Sequence, residues 1–422
     1  MGGKAILVHI IGFGIILSYI AANLAEVATR AQGNMSQYAA ATESHNLAVA
    51  GANVGLARLY QDTSWRGTVT QTINGPFRGK FTYSVATMAN GRPFLRSVST
   101  CPTAEGTLTD TVEVRFGPGS MQSFTLFAWM TDFEGNVFWF TGDTVWGRIH
   151  SNGNIHMTGY PVFMEKLTTA KKMDPKWGVG GNKAVFKQGY ETGVAEVEFP
   201  TDLSVLFGAA TSGGRSYTGN IDIDLRGGTA ADNDGYALVY AGGTLIDSVS
   251  LADAGFNGAI TSTGQVNVSG VLDGKLSIGS NTNIYVTDNI FYENRDLTTS
   301  NDLLGLVSEQ NVIVANNLPN QSDCEIDASV FARSGSFTVE DYNSGSPRGR
   351  LYVNGSVVQD SRGEVGTFQN GQNTIKTGFN KSYRYDERLN DPNFRPPFYP
   401  GFYKQTFAIG SWWESVHVPT FN

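Results

Sequence analysis

The sequence predicts a mainly β protein with one long amino-terminal α-helix, a small antiparallel meander and a right-handed parallel β-solenoid. Three observations support this fold class: a proline-free helical pattern at the amino terminus, alternating strand patterns over residues 66–116, and a glycine-containing repeat at residues 147–159 and 258–270. The composition agrees, because 50 of the 422 residues are glycine and only 16% are charged. Such a composition favours short strands joined by tight turns.

The first predicted element is a helix over residues 1–62. Residues 5–25 are almost continuously apolar between Lys4 and Glu26, and about 20 such residues can cross a bilayer as a helix. Apolar residues recur at helical spacing up to residue 62, so a continuous helix would be about 90 Å long. We expect its second half to pack on a globular domain and its apolar half to pack with copies of itself. The residues predicted for this assembly surface are Ile6, Leu7, Ile10, Ile11, Phe13, Ile15, Ile16, Leu17, Tyr19, Ile20 and Leu24.

This segment resembles the amino terminus of type IV pilins. Residues 12–21, GFGIILSYIA, resemble the Gly-Phe junction at which prepilin leaders are cut. The resemblance implies a subunit that waits in the membrane and then enters a filament with a core of bundled helices. The sequence departs from the family pattern, because the residues before Gly12 are mostly apolar and the fifth residue after it is Leu17, where pilins usually carry Glu.

These departures leave two interpretations of where the mature chain starts. We expect the apolar segment to be retained, so that either the mature chain starts at Met1 or a leader is already omitted from the numbering. The alternative is a plain membrane anchor, or a signal peptide, on an exported domain.

The second element is a small antiparallel meander. Residues 79–88, 93–101 and 107–116 alternate apolar and polar side chains, as half-buried strands do. Asn90-Gly91 is a strong hairpin signal between the first two. We expect this sheet to cradle the second half of the helix, and nothing in it suggests catalysis.

The third element is a repeat. GRIHSNGNIHMTG at residues 147–159 superposes without gaps on GAITSTGQVNVSG at residues 258–270, and residues 349–358 give a partial third copy. His150 and His156 do not recur, which argues against a metal or catalytic pair. What recurs suits a strand–turn–strand corner, which needs glycine for positive φ and an aliphatic residue for the core. The repeat-frame glycines are Gly147, Gly153, Gly159, Gly258, Gly264 and Gly270.

Further short strands with Asn-rich corners follow, and they predict a parallel β-solenoid whose rungs share one core. We expect the aromatic segment 124–147 to lead into and cap the first coils. The Pro- and aromatic-rich tail, residues 390–422, should pack on the solenoid or on a neighbouring subunit. A sugar-binding strip at Trp412 and Trp413 is the alternative for that tail.

A second resemblance lies in this region. Residues 141–163, 286–292, 303–314 and 383–389 look like an uncharacterised bacterial domain family that is usually found behind a pilin-like amino terminus. The resemblance implies export and filament association. No catalytic residues are established for that family, so none is carried over.

The sequence offers few candidates for chemistry. Asp222 and Asp224 share one strand face and could act as an acid pair, but any solvated strand face looks the same. Asp232 and Asp234 begin like a calcium loop whose closing Glu is missing. No GxSxG, P-loop or HExxH motif occurs. We therefore expect no enzyme activity, no cofactor and no metal.

Charge and cysteine content limit the partners. The net charge of −8 makes nucleic acid an unfavourable partner. Cys101 and Cys324 form no CxxC motif, so they are either one long-range disulfide or two free thiols.

Together these patterns predict an exported structural subunit that polymerises into an extracellular, type IV pilus-like filament. Its partners would be copies of itself and, before assembly, the inner membrane and the pilus-assembly machinery. The alternatives are a minor or tip pilin with an adhesive role, and a membrane-anchored polysaccharide-active enzyme. The expected segments are residues 1–62 (helix), 63–116 (meander), 117–389 (solenoid) and 390–422 (tail).

Overall fold

The computed structural model divides the chain into two compact units. The amino-terminal unit comprises Met1–Ser120 and Gln405–Asn422, and the strand-stack unit comprises Met121–Lys404. The division places the first part of the predicted tail in the second unit and the rest in the first. The structure describes residues 2–63, 65–74, 78–88, 92–103, 106–117, 120–174, 183–228, 234–369, 374–404 and 409–415.

The amino-terminal unit consists of one long helix and an antiparallel sheet. The sheet contains four strands between residues 67 and 116 in chain order, and the last described strand, residues 409–414, completes it beside the fourth. The predicted helix and meander are confirmed, whereas the sequence patterns missed the first and last strands. The Asn90-Gly91 turn lies outside the described residues. The elements are α1 (Gly2–Gln61), β1 (Gly67–Ile73), β2 (Gly79–Thr87), β3 (Pro93–Thr103), β4 (Gly106–Phe116) and β32 (Ile409–Glu414).

The second half of α1 packs closely on this sheet because small residues face it. A Cβ atom on Gly51 would lie 2.7 Å from a Phe81 ring carbon, and one on Gly55 would lie 2.6 Å from Leu95 Cδ1. Larger residues at either position would push the helix off the strands. The helix residues buried at this interface include Leu47, Ala48, Ala52 and Leu59.

A polar contact holds the same part of the helix. His45 Nδ1 lies 3.0 Å from a carboxylate oxygen of Asp110 on β4, and its Nε2 lies 3.5 Å from Glu414 on β32. The helix, the central sheet and the last strand are therefore tied together at one point.

The strand-stack unit is built from short strands. It also contains the helix α2 (Ser204–Thr211). The strands are β5 (Ser120–Ser123), β6 (Trp129–Phe133), β7 (Phe138–Trp139), β8 (Thr144–Trp146), β9 (Ile149–Ser151), β10 (Ile155–Met157), β11 (Val162–Phe163), β12 (Leu167–Thr169), β13 (Met173–Asp174), β14 (Val185–Phe186), β15 (Tyr190–Thr192), β16 (Arg215–Tyr217), β17 (Ile221–Arg226), β18 (Tyr236–Ala241), β19 (Thr244–Ser250), β20 (Ala259–Ser262), β21 (Val266–Leu272), β22 (Lys275–Ser280), β23 (Ile284–Tyr292), β24 (Leu303–Ser308), β25 (Val312–Val314), β26 (Cys324–Ala332), β27 (Phe337–Val339), β28 (Pro347–Ser361), β29 (Gly366–Phe368), β30 (Ile375–Tyr385) and β31 (Gly401–Lys404).

Most of these strands pair in parallel, and equivalent apolar residues stack in register. Along β20, β22, β24, β26 and β28 the partners are Ile260, Ile278, Leu306, Val330 and Val357, all of them buried. Other parallel ladders run through β21, β23, β25 and β27, and through β26, β28, β30 and β8. The mainly β class with one long helix is confirmed; the winding of a solenoid and its right hand stay predictions.

The order of strands in the stack differs from their order in the chain. Strand β28 pairs with β6, with Val357 opposite Trp129, and β30 pairs with β8, with Tyr383 opposite Val145. From β6 the ladder continues through β9 and β12 to β15. The prediction that residues 124–147 cap the first coils is therefore wrong, because β6 and β8 have neighbouring strands on both sides. We call the contact of β28 and β30 with β6 and β8 the junction.

The chain returns from β15 to β16 over the outer surface of the stack. Segment 193–214 and residues 396–402 cover outward-facing apolar side chains and so create a second apolar core. Tyr399 also donates its hydroxyl to the Val330 carbonyl at 2.9 Å. This core includes Phe124, Met130, Leu203, Leu206, Ala259, Val307, Phe331, Val358, Tyr399 and Phe402.

Candidate assembly surface and buried polar sites

The apolar first third of α1 has no cover within the described chain. Its large side chains are between 49% exposed (Ile20) and 70% exposed (Tyr19), whereas Leu47 in the second half of the helix is 8% exposed. All eleven residues of the predicted assembly surface lie on this exposed segment: Ile6, Leu7, Ile10, Ile11, Phe13, Ile15, Ile16, Leu17, Tyr19, Ile20 and Leu24.

The chemistry of this segment suits a dry environment. No Asp, Glu, Lys or Arg occurs between Lys4 and Glu26, and His9 Nδ1 lies 2.7 Å from the Ala5 carbonyl of the same helix. The helix satisfies its own backbone groups, as a segment without water must. Covering each large side chain is worth about 1.5–3 kcal/mol. Within the described residues, α1 is also the one helix long and apolar enough to cross a membrane.

The repeat-frame glycines lie at tight corners of the stack. Gly147, Gly159, Gly258 and Gly270 have φ values of 115°, 70°, 85° and 115°, a region that L side chains disfavour. The other two frame positions are limited by space. A Cβ atom on Gly264, for example, would lie 2.4 Å from the carbonyl carbon of Gly219, and one on Gly153 would lie 3.1 Å from a backbone nitrogen.

A column of buried hydroxyl groups beside these glycines was not among the sequence predictions. Ser280 Oγ donates to the Gly264 carbonyl at 2.8 Å and accepts from Thr282 N at 3.0 Å. Ser308 Oγ repeats this pattern with the Thr282 carbonyl and Gln310 N. Each hydroxyl thus accepts a hydrogen bond within its own strand corner and donates one to the backbone of a neighbouring corner. Ser151 and Ser262, which align in the two copies of the repeat, were the sequence signal from which this column could have been predicted.

His150 and His156 belong to different parts of the stack. His150 on β9 is buried, with Nε2 2.9 Å from Asn152 Oδ1 and Nδ1 2.9 Å from Thr168 Oγ1. The Asn152 side chain in turn binds both the N–H and the carbonyl of Val197 in the returning segment. His156 on β10 packs against Phe138. Across the described ranges, no group of three or more His, Cys, Asp or Glu side chains could hold a metal.

Burial lowers the pKa of His150, against a smaller opposing effect of its hydrogen bond to Asn152. The imidazole of His150 therefore binds a proton more readily in the unfolded chain than in the folded one. The stability contributed by neutral His150 is lost as the pH falls below about 6.5.

We expect the difference in unfolding temperature between wild type and His150→Gln to shrink from pH 7.5 to pH 5. His156→Gln, on a half-buried ring, is the control. A difference between wild type and His150→Gln that stays constant with pH would contradict this role.

The next candidates are the aspartates predicted as an acid pair or as calcium ligands. Asp222 accepts a hydrogen bond from Asn267, and Asp224 pairs with Arg226. Asp232 lies outside the described residues, and the backbone N–H of Asp234 donates to Asp273 at 3.2 Å. These contacts give the acid-pair hypothesis no support, and the calcium hypothesis stays a prediction.

The two predicted sugar-binding tryptophans do not share a surface, and the two cysteines do not form a disulfide. Trp412 packs against the core of the amino-terminal unit, whereas Trp413 is 53% exposed, because adjacent residues of a strand point to opposite faces. Cys101 and Cys324 are both buried and free, and they belong to different units. Burial raises the pKa of the Cys324 thiol to about 12, so the thiol stays protonated.

The amino-terminal unit thus has a long helix that is exposed and apolar at one end and packed on an antiparallel sheet at the other, the arrangement expected from the resemblance to type IV pilins. Among solved structures, the chain is similar to the competence-associated pilin ComZ from Thermus thermophilus, at 14% sequence identity and a TM-score of 0.38. The alignment covers 89% of this chain and 97% of that one. No protein-family model and no curated protein matches the sequence.

Proposed function

We propose that the protein is a structural subunit of an extracellular, type IV pilus-like filament and polymerises through residues 5–25 of α1. The observation that supports this function is the uncovered apolar helix segment. Bare apolar surface of this extent is costly in water. Lipid covers it before assembly, and copies of the same helix cover it in the filament.

The amino-terminal unit supplies a rigid base for this contact. Gly51 and Gly55 let the second half of α1 approach the sheet, and His45 ties it to Asp110 and Glu414. The apolar first third then projects from a fixed support, which limits the conformational entropy lost when helices bundle.

A structural role accounts for the geometry better than polysaccharide chemistry does. A glycosidase needs two free carboxyl groups facing a substrate, but Asp222 and Asp224 bind Asn267 and Arg226. The alternative of a minor or tip pilin uses the same helix and differs in its few copies per filament and in its adhesive role.

Removing residues 1–25 tests the helix proposal. We expect the fragment 26–422 to be a folded monomer in buffer without detergent, because the deleted large side chains contact no other element. The full chain should require detergent or assemble. Size-exclusion chromatography with light scattering and circular dichroism gives both readouts. A fragment that still forms filaments, or that unfolds, would contradict the proposed role of this segment.

A further inference from the structure

Lys381 and Asp143 face each other inside the strand stack at the junction. Lys381 lies on β30 and Asp143 immediately precedes β8, and the two strands pair in parallel with Tyr383 opposite Val145. Lys381 lies two residues before Tyr383 and Asp143 lies two residues before Val145, so the two side chains occupy equivalent positions along the paired strands. Lys381 Nζ lies 3.0 Å from Asp143 Oδ2, and the side chains are 9% and 6% exposed.

Aromatic rings and a backbone turn enclose this pair. Lys381 Nζ lies 5.5 Å from the ring centre of Trp139, which is 1% exposed. The Asp143 carboxylate is oriented by the Phe140 N–H, which donates to Oδ2 at 2.9 Å. Two reacting groups that are held at contact distance in a dry site react with a high effective concentration.

We propose that Lys381 and Asp143 are joined by an intramolecular amide bond between Nζ and Cγ. A proton first passes from the ammonium group to the carboxylate along their hydrogen bond. The neutral amine then attacks Cγ, the new C–N bond forms, and one carboxyl oxygen leaves as water. The two hydrogens of that water come from the ammonium group and the oxygen from the carboxylate, so no other reactant is required.

The surroundings favour each stage of this reaction. Burial lowers the pKa of Lys381, more than the nearby Asp143 charge raises it, which favours the nucleophilic amine. Among the described residues, Arg362 Nη2 and the Tyr383 hydroxyl are buried without a hydrogen-bond partner. Tyr383 lies opposite Val145, and Arg362 and Lys381 both lie over the Trp139 ring. Such donors can stabilise the negative charge that develops on the carboxyl oxygen of Asp143 when Cγ is attacked. Glu134 pairs with Arg362 at 2.7 Å and holds the guanidinium in place.

The amide bond would link the first strands of the strand-stack unit covalently to its last strands. At the junction, the first strands of the unit pair with its last strands, which lie far away along the chain. An amide between residues 143 and 381 would prevent these two parts from separating even in the unfolded chain. This cross-link is independent of filament formation, so the failure of either proposal leaves the other standing.

Mass spectrometry of the full-length protein in detergent tests the proposal. We expect the intact mass to be about 18 Da, the mass of one water, below the mass calculated for the linear chain. Cleavage after methionine should leave fragment 131–157, which contains Asp143, attached to fragment 174–422, which contains Lys381. Peptide sequencing must place the branch at these two residues.

Two variants and one internal control complete the test. Lys381→Met and Asp143→Ala should each give the full mass of their own sequence and separate fragments. Cleavage patterns are read on denatured protein, so this result does not depend on how well the variants fold. The Lys166–Glu191 pair is as close, at 2.7 Å, but about half exposed, and it should stay unlinked. Wild-type protein with the full mass and separable fragments would overturn the proposal, as would a dehydration assigned to another aspartate.

Discussion

Ile15→Asp should abolish filaments while leaving the two compact units folded. Ile15 is 65% exposed in the subunit, so the substitution removes no contact within it. In a bundle of apolar helices the new carboxylate would be buried without a partner, which costs several kcal/mol, about 3–5 by comparison with broken buried ion pairs. The defect occurs once per subunit. Electron microscopy counts filaments, and circular dichroism in detergent reports folding.

Two matched variants separate charge from position. Ile15→Leu keeps an apolar side chain and should assemble normally. Leu318→Asp adds the same charge at a side chain that is 87% exposed on the strand-stack unit, and it should also assemble. Filaments of normal length from Ile15→Asp would indicate that the strand stacks or the aromatic tail hold the subunits together.

Arg362→Met should destabilise the strand-stack unit by about 3–5 kcal/mol. Arg362 Nη1 lies 2.7 Å from Glu134 Oε2, and both side chains are 1% exposed. The guanidinium also lies 4.0 Å from the ring centre of Trp139. Removing it leaves the Glu134 carboxylate uncompensated inside the junction. Denaturant unfolding followed by tryptophan fluorescence measures the loss.

The double variant Glu134→Gln with Arg362→Met is the control for this prediction. It removes both charges, so we expect it to recover a large part of the stability that the single variant loses. Arg384→Met, at an exposed side chain one strand away, should change stability little. A loss below about 1 kcal/mol for Arg362→Met would show that water reaches Glu134 at the junction.

The sequence was sufficient for those features whose physical signals are local. The absence of charges between Lys4 and Glu26 defines the apolar helix segment, and alternation in residues 79–116 defines the meander. The glycine frame identifies strand corners because positive φ restricts the residue type, as at Gly147 and Gly258. Each of these signals lies within one helix, one strand or one turn.

The junction could not be predicted in this way. Strand β6 pairs with β28, and Asp143 meets Lys381, although these partners lie more than half of the chain apart. Neighbouring rungs of a parallel stack usually follow each other in sequence, so the repeat itself favoured the simpler order. Aromatic residues such as Trp129 and Trp139 indicated a core but not which strands would complete it.

Electron cryo-microscopy of native filaments tests the central claim most directly. We predict long homopolymers with a central bundle of helices, in which residues 5–25 of α1 contact the same residues of neighbouring copies. Protein found only as membrane-anchored single subunits, or filaments whose axis is formed by strand stacks with the helix segment at the surface, would contradict it.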